Sequence, residues 1–350
     1  MLFCQPFFPF HDSKRTNMGI ENFKDELPKS AYSHDQISRW LGRIQLPASY
    51  PQSPQEFPKT EESLRTLMRC QITTFPYENL SVHYSETHLV DIAPESIYRK
   101  LLGPENGGRG GYCMELSIFF YHMLRGLGFH VYMTGIRNRT RTNGVPGGEY
   151  QGWTHINNIV HLPSGDKFSV DVAFGGDGPI NPLPMVETGN PVQNLGAQQV
   201  RLVHETIPKQ GLRSPLWIYQ YRNGAHLDWN SFYSFAEIEF FQEDFEVMNW
   251  FASAKTLHRW NVLVVRFLRE GEDVLFDDKF KPRRDIDQVK IVGKVMLVSD
   301  VVKVNLGGKT NIVHTMKTET ERIKALRDYF GIQLRKDEEE SIRGWDMALQ

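Results

Sequence analysis

The sequence predicts a multidomain α+β protein with helices first, strands next and a mixed segment last. Apolar residues recur at helical spacing up to about residue 128, where Gly126 and Gly128 signal the end of a helix. Beyond Gly128 the pattern changes to the β-branched, alternating runs that are typical of strands. The 350 residues exceed the usual size of one domain, so we expect more than one folding unit.

The helices and strands follow from local signals. Ser33 and Thr60 are predicted to cap two helices, and apolar spacing predicts others at 97–102, 112–127, 245–254 and 319–330. Strands are predicted at 130–137, 153–162, 167–174, 216–222, 231–240, 262–268, 274–276 and 291–298. Segment 140–150 is predicted to be a turn-rich loop. The charged run 336–340 is predicted to lie in solvent.

These changes of pattern set the predicted domain boundaries. We expect an extension without regular order at 1–30, a helical domain at 31–128, a β domain at 129–240, and a helix followed by a mixed α/β unit at 241–350. The extension is apolar, but it carries two prolines and no leading basic region, so a secretory signal is not expected.

Composition argues against several classes of protein. The net charge of −2, with both signs interspersed, does not favour binding to nucleic acid or to a membrane surface. No apolar run reaches the roughly 20 residues that span a bilayer. Three scattered cysteines predict no disulfide framework, which favours a reducing, cytoplasmic location. The spacing of histidines and cysteines predicts no metal site.

Cys113 is the candidate nucleophile. It follows Arg109-Gly110-Gly111-Tyr112 and begins a predicted helix, where unpaired backbone N–H groups and the helix dipole stabilise a thiolate. The two glycines would allow the backbone to approach a reacting carbonyl. Arg109 adds a positive charge or a structural support. A cysteine at such a place is nevertheless more often a small buried apolar residue.

His155 and Asp171 are the candidate base and the residue that orients it. With a three-residue loop at 163–165, His155 lies opposite Ala173, and Asp171 lies diagonal to His155 on the same face. A slip of one residue would separate the two side chains. Each residue also has an ordinary structural interpretation: His155 in the core, and Asp171 capping the turn at Gly175-Gly176. A cysteine at a helix start, followed by a strand histidine and a next-strand aspartate, favours nucleophilic catalysis.

At this point the sequence resembles the arylamine N-acetyltransferase family. The segment 109–115 matches the family signature R-G-G-x-C-x-E, and Phe75-Pro76-Tyr77-Glu78-Asn79-Leu80 is similar to its P-F-E-N-L. Asp171-Val172-Ala173-Phe174-Gly175-Gly176 is similar to its D-V-G-F-G-G. The length and the insertions look more like fungal members. This chain departs from the family pattern at Ser117, Tyr77 and Ala173, where Asn, Phe and Gly are usual.

The resemblance implies a fold, a reaction and site residues. It implies a helical domain carrying Cys113, a β-barrel domain carrying His155 and Asp171, and an α/β lid. It implies acyl transfer from acetyl-CoA, a co-substrate rather than a bound cofactor, to an arylamine or arylhydrazine through an acyl-cysteine. Fungal relatives can use malonyl-CoA instead. The substrate and CoA cleft would involve Tyr77, Tyr112, Phe174, Gly175 and Gly176. Glu78 is expected to pair with Arg109, although two solvated surface charges are an equal alternative.

Two other functions remain open on the sequence. The same triad serves cysteine hydrolases and transglutaminase-like enzymes, and a catalytically silent binding protein could share the scaffold. Gly307-Gly308-Lys309-Thr310 resembles the end of a phosphate loop, but Lys303 stands where that pattern needs glycine. We therefore expect no Walker-type site.

Overall fold

The computed structural model describes residues 28–142, 144–270 and 289–350. Most of the predicted N-terminal extension and the predicted strand 274–276 lie outside these residues. Within them, no helix is long and apolar enough to cross a membrane.

The helices begin where the sequence offers caps. The Ser33 side chain accepts a hydrogen bond from Gln36 N, and the Gln36 side chain accepts one from Ser33 N, which closes a capping box. Thr60 caps the second helix in the same way with Ser63. The helices are α1 (His34–Arg43), α2 (Glu61–Thr74), α3 (Leu80–His83), α4 (Pro94–Leu102), α5 (Cys113–Gly126), α6 (Gln242–Lys255), α7 (Glu319–Phe330) and α8 (Lys336–Ser341).

The strands form two sheets, named β1 to β13 in chain order. An eight-stranded antiparallel sheet has the order β5-β4-β3-β2-β9-β8-β7-β6. Its strands are β2 (His130–Thr142), β3 (Val145–His161), β4 (Lys167–Val170), β5 (Leu183–Pro184), β6 (Val192–Gln193), β7 (Gln199–Glu205), β8 (Leu216–Arg222) and β9 (Asn230–Phe235). A five-stranded sheet has the order β1-β10-β11-β12-β13. Its strands are β1 (Tyr77–Glu78), β10 (Leu263–Arg269), β11 (Ile291–Val298), β12 (Val301–Asn305) and β13 (Asn311–Thr315).

The prediction of a loop at 140–150 is wrong. Strands β2 and β3 continue through it and pair up to Thr142 and Val145. The glycines that suggested a loop lie in one irregular, twisted hairpin with several register shifts. The pairing of β2 with β3 resumes after each of these shifts.

The predicted register of the hairpin β3–β4 is confirmed. Asn158 pairs with Val170 and His161 with Lys167, which is the register that a loop at 163–165 sets. Strand β4 ends at Val170, however, rather than at Phe174 as predicted. Asp171 and Phe174 therefore lie in the segment that leaves the sheet, close to His155 but outside the ladder.

Strand β1 links the N-terminal helices to the C-terminal sheet. Although it belongs to the predicted helical domain, Tyr77 pairs with Val265 and Glu78 with Val264 of β10. The predicted domain boundaries stay predictions. The main apolar core lies among the helices α1, α2 and α5 and the strands β2 to β4, and a second core lies between α7 and the five-stranded sheet.

Candidate functional site

Cys113 is the first residue of α5 and is 3% exposed. Tyr112 precedes it as the N-cap, and the Glu115 carboxylate accepts a hydrogen bond from Tyr112 N at 3.1 Å. The thiol thus lies at the positive end of the helix dipole, and the Glu115 side chain holds the first turn of that helix in place. The rest of α5 is buried, so the position of Cys113 is set by the packing of the whole helix.

His155 lies in β3 beside a bulge. Ile136 of β2 pairs with His155, whereas the next pair is Arg137 with Trp153, so Thr154 is the extra residue. Such a bulge changes the direction in which a side chain points, and bulges are common next to active sites. The buried imidazole donates its Nε2 proton to Asp171 Oδ2 at 2.8 Å. The Cys113 thiol is close enough to contribute to the raised pKa of His155.

Asp171 bonds both to His155 and to the backbone that follows β4. Its Oδ2 binds His155, and its Oδ1 accepts a hydrogen bond from Ala173 N at 3.0 Å. The second bond turns the chain directly after β4. This turn precedes the Gly175-Gly176 turn that Asp171 was expected to cap in the structural interpretation. Since both carboxylate oxygens are engaged and the side chain is buried, Asp171 holds the imidazole in one orientation.

The pKa of His155 depends on both Asp171 and Cys113. Burial alone would lower the pKa of His155, but the Asp171 carboxylate and the hydrogen bonds to Asp171 and Cys113 raise it to about 10. The imidazole is therefore charged at neutral pH. A charged imidazole thus lies near the Cys113 thiol at the start of α5.

A buried charge network supports the loop before Cys113. Arg109 Nε donates to Glu78 Oε1 at 3.0 Å, so the predicted ion pair is present and the alternative of two solvated charges is wrong. Lys100 lies 3.2 Å from Glu78 and 2.8 Å from Glu115. Burial alone would raise the pKa of Glu78, but Arg109 and Lys100 lower it to about 2. Lys100 and Glu115 were not among the residues predicted for this network.

Gly110 and Gly111 serve a contact that the sequence did not reveal. A methyl group at Gly110 would lie 1.7 Å from the carbonyl oxygen of Pro76. Gly111 N donates to the same oxygen at 3.3 Å, and Glu78 N donates to Gly111 O at 2.9 Å. These glycines therefore allow the Cys113 loop to pack closely against β1.

The C-terminal segment completes this loop. Gln333 N donates to Gly107 O at 2.7 Å, and Gly107 has a φ of 54° with no room for a methyl group beside Gln333 O. The prediction that 336–340 lies in solvent is wrong for Glu338, which is buried and paired with Arg109. A run of like charges gives no signal of which member faces inward, because the partner is distant in sequence.

The predicted cleft residues Phe174, Tyr112 and Tyr77 lie close to His155 or to the Cys113 loop. Phe174 packs against His155 with ring centroids 5.2 Å apart, and Tyr112 donates to Asn249 of α6. The Tyr77 hydroxyl lies 2.6 Å from His258 Nε2, and the His258 ring lies edge-on to Tyr112 at 5.3 Å. His258 was missed, because no motif or periodic pattern in the sequence marks it.

A polar cavity of about 300 Å³ is lined in part by Asp177, the residue that follows Gly175 and Gly176. Buried Lys294 of β11 lines it and donates to Gly176 O, while no carboxylate of the described residues forms an ion pair with it. Burial lowers the pKa of Lys294. The other polar residues of the lining include Asp177, Gln198, Asn223, Asn305 and Thr310. Lys294 was also missed, although a lysine in a predicted apolar strand was an available signal.

The turn that resembled a phosphate loop also reaches this cavity. Gly307, Gly308 and Thr310 line it, whereas Lys309 does not. Among the residues that the structure describes, no group of three or more His, Cys, Asp or Glu side chains is arranged to hold a metal ion.

The fold and the signature segments define the class of protein. A family model described as N-acetyltransferase matches residues 60–339, so the chain belongs to the arylamine N-acetyltransferase family of acyltransferases. An N-malonyltransferase of Fusarium pseudograminearum is 27% identical over 335 residues, which cover 89% of this chain and 92% of that protein.

Solved structures show the same fold. The arylamine N-acetyltransferase of Mycobacterium abscessus has a TM-score of 0.67 at 20% identity, covering 90% of this chain and 98% of that chain. The Mycobacterium marinum enzyme in complex with CoA has a TM-score of 0.64 at 22% identity, covering 88% and 99%. The predicted α+β family fold is therefore confirmed. The predicted domain limits and site roles stay predictions.

Proposed function

We propose that this protein transfers an acyl group from acyl-CoA to the nitrogen of an arylamine or arylhydrazine by double displacement. The observation that carries the proposal is the Cys113–His155–Asp171 arrangement, with a charged imidazole beside a thiol at a helix start. It is supported by membership of an acyltransferase family. Cys113 is the nucleophile, His155 the proton carrier and Asp171 the residue that orients it.

In the first half-reaction, the Cys113 thiolate attacks the thioester carbonyl of acyl-CoA. The bond between the carbonyl carbon and the CoA sulfur breaks, and the His155 imidazolium gives its proton to the departing CoA thiolate. Backbone N–H groups at the start of α5 stabilise the negative charge on the carbonyl oxygen. The product is a thioester on Cys113.

In the second half-reaction, the amine nitrogen attacks that thioester. Neutral His155 takes a proton from the nitrogen, the bond to the Cys113 sulfur breaks, and the thiolate–imidazolium pair is restored. Phe174 beside His155 offers an aromatic surface for the acceptor ring.

The cavity beside Gly176 is the proposed site of the CoA phosphates. An ammonium has three N–H donors, and Lys294 uses one of them on Gly176 O. Its remaining donors, the Thr310 hydroxyl and the side-chain amide of Asn223 are suited to phosphate oxygens. The bound CoA of the Mycobacterium marinum structure agrees with a CoA-dependent reaction.

The test is amine-dependent release of CoA. The purified protein is mixed with acetyl-, propionyl- or malonyl-CoA and p-anisidine, and free thiol is followed. We expect release that requires the amine and disappears in Cys113→Ala. No amine-dependent release with any of these donors contradicts the proposal, and turnover of peptide amides without CoA would indicate a cysteine hydrolase instead.

N-malonyl transfer is the second candidate. Acetyl-CoA is the donor that the family resemblance implies, but an N-malonyltransferase matches the chain over 92% of its own length. The two donors differ by one carboxylate, so the residues around the acyl group decide between them.

A further inference from the structure

We propose that Tyr77 and His258 recognise the free carboxylate of a dicarboxylic acyl group, such as malonyl, while Cys113 carries it. This inference rests on the proposed function and adds the chemical class of the donor. Three observations carry it: where β1 places Tyr77, how protons are arranged around His258, and which charged groups the pocket lacks.

The backbone places Tyr77 next to the Cys113 loop. Tyr77 forms a β-bridge with Gly111, two residues before Cys113, and pairs on its other side with Val265. A methyl group at Gly175 would touch the Tyr77 ring at 3.9 Å, so the ring borders the predicted cleft. The Tyr77 side chain is half-buried rather than enclosed. The Tyr77 residue is thus held next to the Cys113 loop by backbone contacts that do not depend on its hydroxyl.

The direction of the hydrogen bonds follows from counting protons. Thr256 donates its one hydroxyl proton to Ala252 O, so it must accept a proton from His258 Nδ1 at 2.8 Å. His258 Nε2 is then an acceptor, and Tyr77 donates its hydroxyl proton to it at 2.6 Å. If Nε2 gains a proton, the Tyr77 hydroxyl is released to donate elsewhere. The pair therefore has a second state with a free O–H and a positive charge behind it.

An anionic acyl group selects that second state. Burial and then the positive charge of His155 lower the pKa of His258 to about 4, and His83 also lowers it. The ring of Tyr112, the N-cap of α5, lies nearly perpendicular to the His258 ring with the centroids 5.3 Å apart. A carboxylate accepting from Tyr77 would raise the pKa of His258, because an opposite charge nearby stabilises the imidazolium. An acetyl group brings no such charge and leaves the pair neutral.

Apart from the His155 imidazolium, which is already paired with Asp171, the described contacts around Cys113 offer no cationic partner for a carboxylate. Within the described part of the chain, no hydrogen bond or ion pair brings a Lys or Arg side chain to Tyr77, Cys113, His155 or His258. Burying a carboxylate without a partner is costly, so a site that accepts malonyl needs a donor. The family resemblance places Phe at position 77, and Phe lacks the hydroxyl on which this recognition depends.

The experiment compares donors that differ in charge at similar length. kcat/KM is measured for malonyl-, propionyl- and acetyl-CoA with p-anisidine, for the wild type, Tyr77→Phe, His258→Gln and the control Tyr50→Phe. Tyr50 bonds Thr66 at 3.2 Å. We expect malonyl-CoA to be preferred by the wild type. In Tyr77→Phe and His258→Gln the ratio of malonyl to propionyl should fall about tenfold or more, as for the loss of one hydrogen bond to a charged group.

Each of the following outcomes contradicts either the role of Tyr77 and His258 or the proposed function. A wild type that uses propionyl-CoA but not malonyl-CoA contradicts the inference and leaves the proposed function intact. An unchanged ratio in Tyr77→Phe, or equal losses for both donors, assigns the pair a structural role only. No amine-dependent turnover of any donor contradicts the proposed function itself. Tyr77→Phe keeps the ring, so a folding defect of His258→Gln would not leave the inference untested.

Discussion

Arg109 and Glu338, which are 229 positions apart, form a buried ion pair that joins the loop before Cys113 to helix α8. Arg109 also holds Glu78 of β1, so one guanidinium connects three segments of the chain. Arginine suits this role because its planar group presents five donors in fixed directions. The position of the candidate nucleophile therefore depends on residues at the far end of the sequence.

Replacing Glu338 by Gln should destabilise the protein and slow acyl transfer. Removing one partner of a buried ion pair leaves the other charge unpaired, which costs about 3–5 kcal/mol. Glu78 still neutralises Arg109 in part, so we expect the lower end of this range. The measurements are the free energy of unfolding and kcat. Glu340→Gln, at an exposed position of the same helix, is the control and should change neither. Equal behaviour of the two variants would contradict the role of the Arg109–Glu338 pair.

Acylation should occur on Cys113 and not on Cys70. Burial raises the pKa of Cys70 to about 12, so its thiol stays protonated and unreactive. Incubation with acyl-CoA without amine, followed by peptide mass spectrometry, should show one acyl group, on the peptide containing Cys113. Addition of p-anisidine should remove it. An acyl group on Cys70, or an adduct on Cys113 that the amine does not remove, would contradict the double displacement.

The contribution of the His155–Asp171 pair to stability should depend on pH. The pKa of His155 is raised from 6.5 to about 10, so the folded protein holds the proton more tightly than the unfolded chain. The stabilisation is fully present below pH 6.5 and is lost as the pH rises through about 10. The difference in Tm between the wild type and Asp171→Asn should shrink over that window. Asp166→Asn, in the exposed hairpin turn, should show no such trend, and a constant difference for Asp171→Asn would disprove the assignment.

Lys294→Met should weaken binding of acyl-CoA with little effect on the acyl transfer itself. A lost contact with a phosphate should raise KM for acyl-CoA about tenfold, as for a hydrogen bond to a charged group. The wild-type KM should also rise with salt more steeply than that of the variant. Lys309→Met is the matched control, because Lys309 belongs to the phosphate-loop-like turn but does not line the cavity. If Lys309→Met raises KM and Lys294→Met does not, the phosphate site is misplaced.

The sequence was sufficient to predict those features of the candidate site that depend on residues close together in the chain. The register of β3 against β4 was predicted from one loop length, and it brings His155 and Asp171 together as expected. The cysteine at a helix start and the Glu78–Arg109 pair were also anticipated. These features follow from neighbouring residues or from motifs that the family resemblance supplies.

The sequence was insufficient where function depends on distant contacts. His258 contacts Tyr77, which lies 181 positions earlier in the sequence, and no periodic pattern or motif predicts that contact. Asp171 was predicted inside a strand because its neighbours in the sequence are apolar. Its bond to Ala173 N, which turns the chain there, could not be predicted from that pattern. Glu338 looked solvated because its charge gave no sign of a buried partner.

The bond between Gln333 and Gly107 has a consequence for synthesis on the ribosome. The loop before Cys113 is translated early, but its backbone partner Gln333 follows α7 and is translated more than 200 positions later. A chain that ends before Gln333 therefore lacks the amide that bonds Gly107, and the loop before Cys113 loses that contact.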